Sequence, residues 1–172
     1  PIAFFKAVED AVYETLQQGL YGWQVTDCSV TLTYAAYNSV SSTAGDYRNL
    51  APLVVMDALK QAETQVYEPM HRFELEIPTD VLARVIPVLG RLRAVPEPPV
   101  LRGAVCRVTG VIPASQTHEL HVLLAGLSRG EGVLESTFER YDPVSGPIPV
   151  RQRRDHNPLN WKEYLIHVVR RV

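Results

Sequence analysis

An α+β fold is predicted by two changes of period along the 172 residues. Apolar residues first recur at three- and four-residue steps, as on one face of a helix, and later alternate, as on a half-buried strand. From His71 to Tyr141 the two patterns exchange in the order strand, helix, strand, strand, helix, strand. That order is the split βαβ, or ferredoxin-like, plan, which hosts many functions and decides none.

Taken in order, Phe5, Val8, Val12, Leu16 and Gly19 predict a first helix over about residues 3–18, closed by glycine. Cys28, Val30, Leu32 and Tyr34 then alternate with Asp27, Ser29, Thr31 and Thr33, which predicts a half-exposed strand. A small polar stretch from Asn38 to Gly45 follows. Asp46 is the expected cap of a second helix carrying Leu50, Val54, Ala58 and Ala62 to about Gln65, with Pro52 bending its early turns. Phe73, Leu75 and Ile77 mark the next strand. Val81, Leu82, Val85, Ile86, Leu89 and Leu92 mark a helix with Pro87 as a kink, and Val95 to Pro99 can form only an irregular or edge strand. Cys106, Val108 and Ile112 mark a further strand, and Ser115 is the expected cap of a helix through Leu120, Leu123, Leu124 and Leu127. Leu134, Ser136 and Phe138 should face inward from the last strand. After a polar, proline-broken linker, Trp161, Leu165, Ile166 and Val169 give a terminal helix ending on Arg170 and Arg171, where cations suit the helix dipole.

Composition narrows the functional classes. A net charge of −2 excludes a polycation whose affinity rests on neutralising many phosphates, so any RNA contact must be local and shape-matched. No uncharged apolar run reaches the roughly 18 residues of a membrane span, and the amino end lacks signal-peptide order, which predicts a cytoplasmic chain with no membrane partner. Cys28 and Cys106 are too few and too isolated for a disulfide scaffold or thiolate zinc site, and both read as reduced filler. Because Pro1 is no starting methionine and the helix begins at once, the chain reads as a piece of a longer protein.

Catalytic signals are weak. There is no GxxxxGK[ST] run, so the chain itself is expected to be no P-loop enzyme and to carry no cofactor. His118 and His121 stand three apart on a helix, but without the five-residue zinc-protease spacing or an evident third ligand they read as solvent-facing. Ser128 to Gly132 offers glycines, yet after a helix and not before one, so a helix exit is expected over a phosphate cradle. The serines and threonine of the Asn38 to Thr43 loop have no partnered histidine nearby in sequence and suit hydrogen bonding more than nucleophilic attack. Arg151, Arg153 and Arg154 are candidate phosphate contacts within an otherwise solvated linker.

Several local motifs point further. Gly19-Leu20-Tyr21-Gly22-Trp23-Gln24-Val25-Thr26-Asp27-Cys28, the loop Tyr37-Asn38-Ser39-Val40-Ser41, and Tyr47-Arg48-Asn49-Leu50-Ala51-Pro52 stand in fixed order. Tyr67-Glu68-Pro69, Val111-Ile112-Pro113-Ala114 and Gly130-x-Gly132 continue it. Across the whole chain this resembles the tetracycline-resistance ribosomal protection proteins, relatives of elongation factor G. The resemblance implies a truncated domain IV-like α/β unit over residues 1–68, a ferredoxin-like domain V over 69–145, and a linker with C-terminal helix over 146–172. It implies ribosome binding, to small-subunit rRNA near the decoding centre and through domain V to the factor-binding region of the large subunit. GTP and magnesium then belong to an N-terminal domain of the parent, outside this chain. The tip loop is mapped to Tyr37, Asn38, Ser39, Val40 and Ser41: Tyr37 to stack on a base, Val40 for apolar contact, the others for hydrogen bonds to RNA. Well-known members place proline where Ser39 stands, and this loop is one residue longer; without proline's fixed φ the tip is less constrained. Two alternatives stay open, a variant translocation factor without a resistance role and a free-standing ferredoxin-like ligand module. The Cys28 to Tyr34 strand, lacking its domain IV partners, is expected to leave an open edge through which the chain dimerises.

Overall fold

A computed structural model describes residues 2–169. In chain order it contains α1 (Ile2–Leu16), α2 (Ala44–Ala62), β1 (Tyr67–Pro78), a 3₁₀ turn (Thr79–Val81), α3 (Leu82–Arg91), β2 (Val95–Pro96), β3 (Val100–Arg102), β4 (Val105–Pro113), α4 (Ala114–Leu127), β5 (Val133–Pro143) and α5 (Trp161–Val169). Two compact units result, one of residues 1–66 with 146–172 and one of residues 67–145. The expected cations Arg170 and Arg171 lie outside the described residues.

The second unit follows its sequence pattern closely. Its antiparallel sheet runs β2-β4-β1-β5, with β3 also on β4. Phe73, Leu75 and Ile77 of β1 and Cys106, Val108 and Ile112 of β4 are all buried under α3 and α4, which contribute Val85, Leu89, Leu120 and Leu124. Burial of the Cys106 thiol pushes its pKa up, so the neutral form is favoured, in keeping with a filler role. The Pro-rich stretch does give an edge strand, but only two residues of it, pairing Val95 with Val111 and Pro96 with Gly110. Gly110 has no room for a side chain: a Cβ there would meet the Val95 carbonyl oxygen at 2.4 Å and Phe73 at 3.0 Å. Gly110→Ala should therefore displace β2 and lower the unfolding free energy of this unit by about 1–2 kcal/mol, as overpacking does. Urea unfolding followed by far-UV circular dichroism checks it.

Several expectations need correction here. Ser115 is not a cap, because β4 runs straight into α4 with Pro113 in the cap position and Ser115 already inside the helix. Ser136 and Phe138 do not face a covered core; both are exposed, since β5 is the sheet's edge and only Leu134 reaches the helices. The register of β5 also shifts at Met70/His71, where Phe138 and Arg140 pair with neighbouring residues and Glu139 is extra. Arg72 bridges Glu139 at 2.8 Å and Glu97 at 3.1 Å across that surface.

In the first unit α1 and α2 pack together, with Val55, Met56 and Leu59 of α2 against Val12, Leu16, Leu20 and Val25. Small residues allow the approach: Ala7, Ala11 and Thr15 are the buried positions of α1, and the Thr15 hydroxyl turns back onto the Ala11 carbonyl at 2.6 Å. The buried stripes differ from those expected. Phe5 is exposed, and α2 buries Ala51, Val55, Met56 and Leu59 while Leu50, Val54, Ala58 and Ala62 face outward. With apolar residues on both sides, α2 is turned by about one position so that Met56, the bulkiest, fills the centre. Its cap is Thr43, with Asp46 at the third helical position: Asp46 N–H donates to the Thr43 hydroxyl at 3.3 Å and Thr43 N–H to the Asp46 carboxylate at 2.7 Å. The helix continues through Pro52 and ends at Ala62, short of Gln65.

The strand expected over Cys28 to Tyr34 does not form. The segment carries no assigned strand, and Cys28, Val30, Leu32 and Tyr34 are all exposed. Alternation creates a strand only when a neighbour supplies the hydrogen-bonded ladder, and among the described residues none lies alongside.

Candidate functional site

The Gly19 to Cys28 run is a turn built to receive another stretch of chain. After α1, Gly19 N–H donates to the Trp23 carbonyl at 2.8 Å, Gly22 N–H to Gly19 at 3.1 Å, and Val25 N–H back to Leu16 at 2.7 Å. A Cβ on Gly19 would lie 2.4 Å from Val25, and one on Gly22, at φ +77°, would lie 1.9 Å from the Arg151 carbonyl oxygen. Both glycines are required by close approach, the second also by its left-handed backbone.

Residues 149–154 occupy the space these glycines leave. Trp23 Nε1 donates to the Pro149 carbonyl at 2.7 Å, Arg151 N–H to the Tyr21 carbonyl at 2.9 Å, and the Arg151 guanidinium lies over the Trp23 ring at 5.6 Å. Arg153, with 12% of its side chain exposed, points inward; its Nη1 donates to the carbonyls of Gln18 and Gly19, the latter at 3.3 Å, while Nε holds Asp155 at 3.0 Å. A cation thus sits just beyond the carbonyl end of α1, where the helix dipole favours it. The Arg154 amide donates to Gln18 Oε1 at 2.8 Å, and its side chain is exposed. The stretch expected as a free linker is docked, and Arg153 is withdrawn as an RNA-facing cation because its guanidinium serves α1. Arg151 and Arg154 remain at the surface.

The loop Tyr37 to Ser41 is closed by its own hydrogen bonds. Asn38 N–H donates to Ser42 Oγ at 2.9 Å, Val40 N–H to Asn38 Oδ1 at 2.9 Å, and Ser42 N–H to the Asn38 carbonyl at 3.0 Å. Asn38 therefore acts as the loop's clasp, an Asx-type turn, and its side-chain carbonyl is engaged within the chain. Val40 is left 93% exposed at the apex. At the base, Tyr47 stacks on Phe4 at 4.8 Å and donates its hydroxyl to the Ala36 carbonyl at 2.7 Å, while Tyr37 meets Phe4 edge-on at 6.0 Å and keeps 57% of its surface exposed. Ser39 and Ser41 are both exposed. The supporting residues Phe4, Thr43 and Tyr47 were missed from sequence; of these, the Thr43-x-x-Asp46 spacing was a readable capping signal.

The remaining candidates lie elsewhere. His118 and His121 are both exposed and belong to no three-residue ligand cluster among the described residues. Ser128 to Gly132 is the exit of α4: Gly130 N–H reaches back to the Ala125 carbonyl at 2.9 Å, and the buried Ser128 hydroxyl accepts from Gly132 N–H at 2.9 Å while donating to Leu124 at 2.7 Å. No helix among the described residues is long and apolar enough to cross a membrane.

The antiparallel β5-β1-β4-β2 sheet with α3 and α4 has the ferredoxin-like arrangement, and a helical unit precedes it in the chain. The chain belongs to the elongation factor G C-terminus family, which it matches over residues 65–152, and residues 1–63 match elongation factor G, domain IV. Its relatives are tetracycline-resistance proteins. It is 47% identical to the oxytetracycline resistance protein of Streptomyces rimosus over all of this chain and 26% of that protein, and 38% identical to the tetracycline resistance protein TetP of Clostridium perfringens over 97% of this chain and 26% of that one. The tetracycline resistance protein TetM of Streptomyces lividans is 43% identical over 79% of this chain and 21% of its own length. The chain thus spans about a quarter of the length of these relatives. A crystal structure of a protein from Thermus thermophilus shares the fold with TM-score 0.65 and 23% identity, over 84% of this chain and 22% of that one.

Proposed function

We propose that this chain is the ribosome-binding C-terminal part of a GTP-dependent ribosomal protection factor, working in the cytoplasm, whose Tyr37 to Ser41 loop promotes release of tetracycline from the small subunit. The observation that carries the reading is the loop itself. Its closure through Asn38 and Ser42 holds Val40 at the apex, and the Phe4 and Tyr47 rings set Tyr37 at the base with its ring still accessible. A preset apex loses little conformational freedom on contact with RNA, and an exposed aromatic beside it suits base stacking. Asn38 then acts by shaping the loop, and Ser39 and Ser41 supply hydroxyls to rRNA. Arg151 and Arg154 are secondary phosphate contacts. GTP and magnesium are held by the parent's N-terminal domain, and domain V contacts the large subunit. The Cys28 to Tyr34 segment, with Val30, Leu32 and Tyr34 exposed, takes up a strand when a further strand pairs with it, supplied by the rest of the parent or by a second copy of the isolated chain.

Serine in place of proline at position 39 favours one second reading, a translocation factor without a resistance role. Translation in tetracycline, with the full-length parent added, separates the two. Restoration of protein synthesis by the unsubstituted parent is the expected result; failure to restore it, with synthesis supported in the absence of drug, leaves the translocation reading.

A further inference from the structure

Beyond the clasp at residues 149–154 the chain carries His156, Glu163 and His167, three metal-ligating side chains that neither the tip loop nor the turn uses. Their ligand atoms all lie within 4.8 Å of one another. The two imidazoles are parallel at 3.7 Å with 4° between their planes, and Glu163 and His167, four apart on α5, share one helix face. We propose that these residues bind one divalent transition-metal ion of the zinc class, with solvent completing the coordination.

The donor set and its supports carry this assignment. Two imidazole nitrogens and one carboxylate suit zinc and its neighbours, and do not suit magnesium or calcium, which take oxygen ligands. His156 is held from both sides: Asp155 before it is gripped by Arg153 at 3.0 Å, and the turn after it is closed by Leu159 N–H on Asn157 Oδ1 at 3.0 Å and Asn160 N–H on the Asn157 carbonyl at 3.0 Å. Asn160 Nδ2 donates to Glu163 Oε2 at 2.6 Å, which fixes the carboxylate and leaves its other oxygen for the metal. Stacked rings hold their lone pairs side by side, so coordination tilts them toward a common point. The ion would then staple α5 to the clasp that Arg153 anchors on α1, so the site stiffens the tail and has no part in the loop's chemistry.

Calorimetric titration of zinc chloride into the 172-residue chain tests this directly, with cobalt(II) absorption as a second probe. A one-to-one isotherm is expected, weakened at least about tenfold by His156→Ala or His167→Ala and by Glu163→Gln, and unchanged by His118→Ala with His121→Ala. Cobalt should give the visible bands of a low-coordinate nitrogen and oxygen site, lost in the His156 and His167 variants. His167→Gln, close in size and polarity, replaces any alanine variant whose far-UV spectrum shows lost helix. No saturable binding by the unsubstituted chain, binding that survives the double substitution at His156 and His167, or binding abolished by the His118 and His121 changes would each overturn the proposal.

Discussion

Gly22→Ala should release residues 149–154 from the turn after α1 and cost the first unit about 3 kcal/mol or more in stability. Two effects add at this position. The backbone sits at φ +77°, where a side chain costs about 1–2 kcal/mol by itself, and the new Cβ would lie 1.9 Å from the Arg151 carbonyl oxygen, which no relaxation of one side chain can relieve. One strand of the clasp must move, taking with it the Arg151 to Tyr21 and Trp23 to Pro149 hydrogen bonds. Both tryptophans, Trp23 and Trp161, lie in the first unit, so fluorescence reports its unfolding separately from the second. A red-shifted emission before any denaturant is added, with an earlier first transition and an unchanged second one, is the expected result. A variant with the original midpoint would mean that the tail does not rest on this turn.

Arg153→Ala should be nearly as damaging, at about 2–3 kcal/mol. The guanidinium is largely enclosed and donates to the Gln18 and Gly19 carbonyls just after α1 while pairing with Asp155; Gly19 keeps the Gly22 N–H, so removal leaves the Gln18 carbonyl unmatched beside Met56. Charged hydrogen bonds of this kind contribute about 1.5–3 kcal/mol. Arg153→Lys should recover only part of it, because an ammonium cannot span the carbonyls and the carboxylate in one plane. Arg154→Ala, an exposed side chain in the same stretch, should shift the midpoint by no more than about 0.5 kcal/mol. Thermal unfolding of the three variants, followed by tryptophan emission, decides between a clamp and a solvated cation. Equal effects of Arg153→Ala and Arg154→Ala would sink the clamp.

These two residues also show what could and could not be read from the sequence. The second unit was legible because its pattern is local: Phe73, Leu75 and Ile77 alternate within one strand, Val85 and Leu89 repeat within one helix, and each buries the face its own spacing marks. The first unit depends on partners far along the chain. Gly22 needs to be glycine because of Arg151, and Arg153 looks like a linker cation until α1 is found beneath it; no periodicity couples positions so far apart. The Cys28 to Tyr34 alternation failed for the same reason, since a strand is a property of a pair. Around the loop, positions 37–41 were singled out by resemblance and the Asn38 clasp is a local turn, whereas the Phe4, Tyr37 and Tyr47 cluster depends on the packing of α1 beside α2. The docked tail changes what the conspicuous Gly19 to Cys28 run means: it is first a seat for residues 149–154, and only through the first unit's integrity a support for the loop.

Action of the loop on the drug site can be measured by deleting residues 38–41 from the full-length parent and following release of labelled tetracycline from ribosomes in the presence of GTP. Ribosome binding should persist while drug release falls to the level of ribosomes without factor. Undiminished release by the deletion variant would contradict it.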